Sequence, residues 1–592
     1  MKRFILLFLA FMLPLLSMAE VRSRESAREI AENFFGRAMT KSVTPKLDMV
    51  WDGSDVMTRS ADQVPAFYVF DNVSGPGFVI VSGDDKVNAV LGYSFESEFD
   101  VDDMPPHFID WMKEIENQVR FASSSSAYST RAPGSDSPGN VVIQHKTALW
   151  NQGSPYNGLC PYDGAVRSVT GCVATAMAII MKYHEWPDAG EGTLPAYTTS
   201  SRGIEVDAIE LGYKYDWDNM LMSYDNTSSD VQKEAVARLM ADCGAAVMMD
   251  YTKSASGADS YFAFLTLAFN MKYDRRIAEI GRGYYSDEQW HKIIQKDLRN
   301  NGPVLYAGQS ESGGHAFVLD GFTDNQYYHV NWGWGGYYNG FYLLDALGPS
   351  DSQIIGGSMS EYNFLQTAII NIFKRNEEDC LVERMALSRF ADEYGLQAET
   401  DTFEKGVPFR VNTGFIYNIG YSNYSGRVAL VVADENNQVK EELWGVDVLD
   451  LQPLYGLTYG PTLTYNIDLN IGDRLICVFW NNRTGQWEKV NAHMEGIVDF
   501  IPLADQYALG ESTSFSFNTK TREIVLITKR GVEVVVTGPS GELVASAVSV
   551  QNEPVTIPTA DLPAGRYKIA LTKNAEYAEF YVVLGTKEDS NE

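Results

Sequence analysis

Cysteine is scarce in this chain. Five occur in 592 residues, at Cys160, Cys172, Cys243, Cys380 and Cys477. That is too few for a disulfide-built scaffold, and an odd number leaves at least one thiol free in a monomer. Their spacing fits no zinc-ligand pattern, so no metal site is expected. Positive charge is also in short supply. Forty-seven Lys and Arg stand against 78 Asp and Glu, a formal net charge of −31. This balance argues against nucleic acid as a partner, because such partners call for basic patches. Long apolar runs are missing as well. Beyond the first residues, no stretch is long and apolar enough to span a bilayer. No long internal repeat is visible.

What is present begins with an export pattern. Met1-Lys2-Arg3 is a positive start, Phe4 to Leu16 is apolar, and Ser17-Met18-Ala19 offers a small-residue cleavage site. Together they predict a signal peptide over residues 1–19. The apolar run is short for a spanning helix, and no cysteine follows the cleavage site to carry a lipid. The expected address is secreted or periplasmic, with cell-surface attachment open. A hydrophobic content of 45% is ample for packed cores, and the length suggests about three to five domains.

The chain is organised around Thr170-Gly171-Cys172-Val173-Ala174-Thr175-Ala176-Met177-Ala178-Ile179-Ile180-Met181. Val173, Ala176, Met177 and Ile180 recur at the spacing of a buried helix face. Gly171 permits a tight approach just before it. Cys172 is therefore expected at a helix N-terminus, where unpaired N–H groups and the helix dipole favour a thiolate. A buried structural cysteine would have the same neighbours.

A second stretch, about 140 residues downstream, bears on that choice. Gly313-Gly314-His315-Ala316-Phe317-Val318-Leu319-Asp320-Gly321 is followed by Tyr327-Tyr328-His329-Val330-Asn331-Trp332-Gly333-Trp334-Gly335-Gly336. Two strands, 316–322 and 327–332, are predicted around the turn at 323–326. Folding that hairpin back brings Asn331 or its near neighbours opposite His315, and the even separation of the two permits a shared face. A nucleophilic cysteine needs a base, and the base needs an orienting partner. Cys172, His315 and Asn331 supply all three. The other histidines have no comparable partners and read as structural or surface residues.

These strings resemble the streptopain family of papain-clan cysteine peptidases. The matching residues are Asn151 to Asn157 (NQGSPYN), Gly171 to Pro187 (GCVATAMAIIMKYHEWP), Asn301 to Val304, Gly313 to Gly321 and Tyr328 to Gly336. They occur in the family's order across most of residues 140–350. The resemblance implies a cysteine endopeptidase with Cys172 as nucleophile, His315 as general base and acid, and Gln152 as an oxyanion-hole donor. Catalysis would rest on a Cys172–His315 thiolate–imidazolium pair, with Asn331 holding the imidazole and no cofactor required. It also implies protein or peptide substrates, a hydrophobic residue at P2, and a cleft bordered by a loop such as 250–258. Gly314, Ser256, Trp332 and Trp334 are the candidate substrate-binding residues, with one tryptophan shielding the His–Asn bond.

The expected fold class is α+β: a papain-like two-lobed catalytic domain, a small α+β pro-domain and C-terminal β-sandwich domains. Residues 20–122 carry two amphipathic helices, 26–39 and 105–121, and strands at 66–72 and 77–82. By the resemblance they form an inhibitory pro-domain. Residues 123–139, rich in Ser, Pro and Gly, read as an exposed linker with the activation cleavage, and Arg131 offers a basic-specific site. The catalytic domain is expected at 140–374, with further helices at 229–244, 262–270 and 286–299. Short β-like runs predict one sandwich at 375–505 and another at 506–592, the latter a sorting or adhesion module. Two alternatives keep the same residues: another acyl transfer at the triad, such as amidase or transpeptidase chemistry, and a non-catalytic surface adhesin.

Overall fold

A computed structural model describes residues 21–584, apart from 39–45, 54–63, 125–136, 311–312, 345–365, 377–379, 381, 391–392, 401, 471, 495, 505–512, 519–522, 529–531, 550–553, 564 and 574–575. The signal segment 1–19 and most of the linker, Arg131 included, lie outside the described residues. The chain divides into two compact units between Leu381 and Val382.

The first unit is α+β and is built on one continuous sheet. Residues 21–124 contribute α1 (Arg24–Ala38), β1 (Leu47–Trp51), β2 (Phe67–Asn72), β3 (Phe78–Ser82), β4 (Val90–Ser94) and α2 (Pro106–Ser124). The expected helices and the two expected strands are all present, α2 running on into the predicted linker. Next come β5 (Val141–Gln144), α3 (Cys172–His184), α4 (Asp230–Ala246), α5 (Ser260–Phe269), β6 (Ala278–Gly281) and α6 (Asp287–Asn300). The unit closes with β7 (Val304–Ser310), β8 (Gly313–Thr323), β9 (Tyr328–Asn331), β10 (Gly340–Tyr342) and β11 (Thr367–Ile370). The strand order is β1-β2-β3-β4-β10-β9-β8-β7-β11-β6, with β5 added alongside the far end of β8. From α3 onward most helices come first and most of the antiparallel strands second, as the sequence pattern suggests.

Local chemistry explains the helix starts. Ser229 and Ser286 cap α4 and α6, each in a reciprocal box with Gln232 or Gln289 three residues on. α3 is apolar all round, buried from Cys172 to Lys182, and packs against α4, α5, β7 and β8. A helix of that composition belongs at the centre of a domain.

The N-terminal sheet meets the rest through β4 and β10, where Tyr93 faces Phe341 and Gly92 faces Tyr342. Space is tight at this seam. A Cβ on Gly92 would fall 2.4 Å from the Tyr342 ring, and one on Gly340 would fall 2.5 Å from the Tyr93 carbonyl. Phe34, Phe35, Tyr93, Tyr327, Phe341 and Leu343 share one apolar core across it.

Asp242 on α4 is fully buried and accepts hydrogen bonds from the Tyr213 and Tyr215 hydroxyls, and its Oδ1 has no partner among the described residues. Burial pushes its carboxyl from 3.8 up to about 6, against the pull of the two tyrosines and Arg238. A raised carboxyl favours folding fully below pH 3.8, and that contribution is lost as pH rises through about 6. Asp242→Asn keeps an acceptor and has no charge to bury. In a Cys172→Ala background it is expected to raise the thermal midpoint at pH 8 by about 2–4 °C and to change it little at pH 4. Equal shifts at both pH values would contradict the assignment.

The second unit is all β. Strands Met385–Phe390 and Phe415–Asn418 face Tyr424–Ala433 and Arg474–Asn481 across a core of Leu387, Ile416, Val428, Leu430, Leu475 and Cys477. Further on, Glu523–Ile527 and Val555–Pro558 face Glu533–Thr537 and Gly565–Lys573 across a separate core of Ile524, Leu526, Val534, Ile557 and Ile569. Both are two-sheet sandwiches. All five cysteines are thiols. Among the described residues, no helix is long and apolar enough to cross a membrane.

Candidate active site

Cys172 is the first residue of α3. Gly171 caps the helix at φ 84°, ψ 148°, with no side-chain hydrogen bond. A Cβ at Gly171 would sit 2.5 Å from the Met249 side chain and 3.1 Å from the Ser256 carbonyl. Glycine is therefore required both for the positive φ and for the close approach. With no capping side chain, the first N–H groups of α3 stay available. Those of Cys172 and Val173 are directed at the sulfur, as is the N–H of Ala316. Ala316 follows His315 on β8, so the structure brings the cysteine stretch and the histidine stretch together. Cys172 is only 5% exposed. Burial pushes its thiol up, and the three N–H groups pull it back part of the way. Desolvation thus acts against a thiolate here, and the helix start acts for it.

Gln152 comes to the same place. Its backbone carbonyl accepts the Thr170 N–H, two residues ahead of Cys172. Its backbone N–H is held by Asn151 Oδ1 at 2.6 Å. The side chain is buried, and its Nε2 has no hydrogen-bond partner among the described residues. A buried amide donor without an acceptor costs free energy, about 1–3 kcal/mol, unless something arrives to use it.

His315 lies on β8, buried, with the Trp332 ring stacked 5.9 Å away at 15°. Asn331 is not its partner. The Asn331 amide donates to Thr147 Oγ1 (2.9 Å) and the Ala148 carbonyl (3.0 Å), and accepts the Gly333 N–H (3.1 Å). The reason is a β-bulge. Near the turn, Phe322 faces Tyr328 and Gly321 faces His329. Continued unbroken, that register would put His315 and Asn331 on one face. Instead Asp320 is an extra residue, so that Leu319 faces Val330 and Val318 faces Asn331. One inserted residue turns the later side chains to the other face. Asn331 emerges opposite His315, and Trp332 takes the His315 side, packed on Phe317 at 4.9 Å. Asn331 instead pins the glycine-rich turn. In that turn Gly333, Gly335 and Gly336 have φ of 72°, 73° and 95°, and a Cβ on Gly333 would press Thr175 of α3 at 3.0 Å.

The candidate substrate residues divide. Gly314 is exposed beside His315, and Trp334 is half-buried in the same turn. Ser256 is buried, and its hydroxyl ties its loop to the residue before the cysteine stretch, donating to the carbonyls of Val169 and Thr252. Its carbonyl lies next to Gly171. Among the described residues no cluster of three or more His, Cys, Asp or Glu could hold a metal ion.

The N-terminal residues reach this site. α2 lies against β8, and its Phe108 and Trp111 rings contact Trp332 at 5.5 and 5.9 Å. Sequence reasoning also passed over His329 as an ordinary structural histidine. It is buried between two carboxylates, Nδ1 to Asp320 at 2.5 Å and Nε2 to Glu96 at 2.7 Å. Burial works against the charged ring, but the carboxylates outweigh it and push His329 up to about 10. Nothing local signals this, because Glu96 is 233 positions away.

The chain is similar to several known proteins. Residues 150–342 match the peptidase C10 family, and residues 19–119 match the Spi protease inhibitor family. Streptopain of Streptococcus pyogenes serotype M1 is 38% identical over 322 residues, covering 52% of this chain and 80% of that protein. The thiol protease/hemagglutinin PrtT of Porphyromonas gingivalis is 30% identical over 435 residues, covering 71% of this chain and 48% of that protein. Among solved structures, a prointerpain A fragment from Prevotella intermedia is 28% identical with a TM-score of 0.45, covering 56% of this chain and all of that one.

Proposed function

Because this chain belongs to the peptidase C10 family and is a cysteine-type endopeptidase, we propose that Cys172, His315 and Gln152 are its catalytic residues and that it is made as a secreted zymogen. His315 takes the Cys172 proton, and the sulfur attacks the peptide carbonyl. The Cys172 N–H and Gln152 Nε2 hold the tetrahedral oxyanion. His315 then passes its proton to the leaving amine, and the thioester is hydrolysed by a water that His315 activates. Trp332 keeps the imidazole in place by stacking and shields it from solvent. Asn331 acts at one remove, by fixing the 333–336 turn. The single observation that carries this reading is the buried Gln152 Nε2, without a hydrogen-bond partner among the described residues, beside the start of α3.

Residues 20–122 are the proposed inhibitory pro-domain, 123–139 the activation linker, 140–374 the catalytic domain, and 375–505 and 506–592 the C-terminal sandwiches. The contacts of α2 with β8 and Trp332 support the inhibitory role. A tether keeps such a pro-domain at high effective concentration, and cutting the tether removes that advantage. For the C-terminal sandwiches, surface adhesion or sorting is the proposed use. The hemagglutinin in the name of the Porphyromonas relative is in keeping with it. Hydrophobic residues are proposed at P2 of the substrate.

Purified full-length protein under reducing conditions is expected to shorten on storage. Since α2 runs through Ser124, the new N-termini should fall at 125–140, and Cys172→Ala should stay long unless active enzyme is added. The shortened enzyme, given denatured protein, should leave new amine termini after sites with a hydrophobic P2. Full activity in a chain verified as uncut would overturn the zymogen reading. Crosslinked products would replace hydrolysis with acyl transfer.

A further inference from the structure

The β4–β10 seam joins two parts of the chain that the proposed activation cut would separate. It contains a built recognition site. Tyr93 and Gly92 pair with Phe341 and Tyr342, and the Leu343 N–H extends the ladder to the Leu91 carbonyl at 3.0 Å. The Tyr93 ring stacks on Phe341 at 5.4 Å and 20°. The Ser94 hydroxyl donates to the Asn339 carbonyl at 2.7 Å, and the Tyr327 hydroxyl donates to the Val90 carbonyl at 2.8 Å. Three residues beyond Tyr93, Glu96 reaches His329.

That last contact is asymmetric. The His329 side chain is 5% exposed and Asp320 is 2% exposed, whereas Glu96 is 58% exposed. Asp320 also accepts the Thr147 hydroxyl, so the catalytic side of the ladder is buried and fixed by its own neighbours. Glu96 comes from outside and engages the imidazole nitrogen that Asp320 leaves over. A buried cation with one donor turned to a seam is a receptor for a carboxylate. Beside it, β10 offers main-chain groups to an added strand.

We propose that the edge of β10 together with His329 is a docking site that recognises an extended segment carrying an aromatic residue and, three residues on, a carboxylate. Its occupant is the pro-domain segment Tyr93-Ser94-Phe95-Glu96, and Glu96 keeps the pro-domain seated after the linker is cut. This rests on the zymogen reading. It adds that the cut pro-domain remains a bound inhibitor whose release is governed by one charge pair. Exposure of Glu96 to solvent makes that release sensitive to salt.

The test uses full-length Cys172→Ala protein with a recognition site for an unrelated, specific peptidase placed within 125–136, so that nicking does not depend on self-cleavage. After the nick, loss of the N-terminal fragment is followed by gel filtration on dilution, at low and high salt. With Glu96 intact the fragment should stay bound at low salt and leave faster at high salt. Glu96→Gln should leave about tenfold faster at low salt, with much of the salt dependence gone. Glu96→Asp should fall between the two, and Glu98→Gln, on the same exposed turn, should behave like the parent. Equal retention of the Glu96→Gln and parent fragments, at any level, overturns the proposal. Activity of the uncut chain with Cys172 intact is measured separately. Full activity there would overturn the zymogen reading, while fragment retention would still decide the docking site.

Discussion

Replacing Cys172 by Ala is expected to lower kcat/KM for a peptide substrate by roughly 10⁶-fold, and His315→Ala should cost nearly as much. Residues that act as one unit do not contribute additively. Without the sulfur there is no nucleophile to activate, and without the imidazole there is neither a base for the thiol nor an acid for the leaving amine. The fold should survive the first change. Cys172 is the first helical residue, nearly buried, and Ala is smaller and helix-favouring. Far-UV circular dichroism of the Cys172→Ala protein should therefore match the parent while hydrolysis of a fluorogenic peptide vanishes. Cys160, Cys243 and Cys477 are also buried thiols, yet none starts a helix beside His315. Ala at any of them should leave kcat within a few-fold of the parent. Turnover in Cys172→Ala within about a hundredfold of the parent would remove it from the proposed mechanism.

The second large effect is expected at Gln152. Gln152→Ala should lower kcat by roughly 100- to 1,000-fold, with little change in KM. The split between the two constants is the informative part. In the resting chain Gln152 Nε2 is buried and bonds to nothing among the described residues. Its interaction is therefore available to be formed as negative charge develops on the substrate oxygen, which raises kcat rather than tightening ground-state binding. Steady-state kinetics on one peptide over a range of concentrations separates the two. A raised KM with unchanged kcat would make Gln152 a substrate-binding residue instead of an oxyanion donor.

The elements that position these groups differ in how far they could be read from the chain alone. The helix after Cys172 was legible because its determinants are local: a glycine, a run of small and apolar residues at helical spacing, and nothing to break it. The caps at Ser229 and Ser286 are equally local. The N-terminal helices and the β2–β3 pair were readable from periodicity. Strands β1, β4 and β10 were not; β10 is only three residues long and is held between β9 and β4.

The partner of His315 could not be decided from spacing. Counting along the hairpin allowed Asn331 or its near neighbours the histidine's face. A single bulge at Asp320 sent Asn331 to the opposite face and gave the place to Trp332. That bulge is held by contacts far away in sequence: Asp320 takes His329 and the Thr147 hydroxyl, and its carbonyl takes the His145 N–H at 2.7 Å. The His329–Glu96 pair is likewise invisible without the fold. Local sequence thus determined the kind of chemistry, a cysteine at a helix start with a histidine strand downstream, because helix and strand propensity act over a few residues. Only the tertiary structure decided which side chains face each other. A one-residue change of register reverses a strand's faces, and that register is set by buried charges and hydrogen bonds between segments tens to hundreds of residues apart.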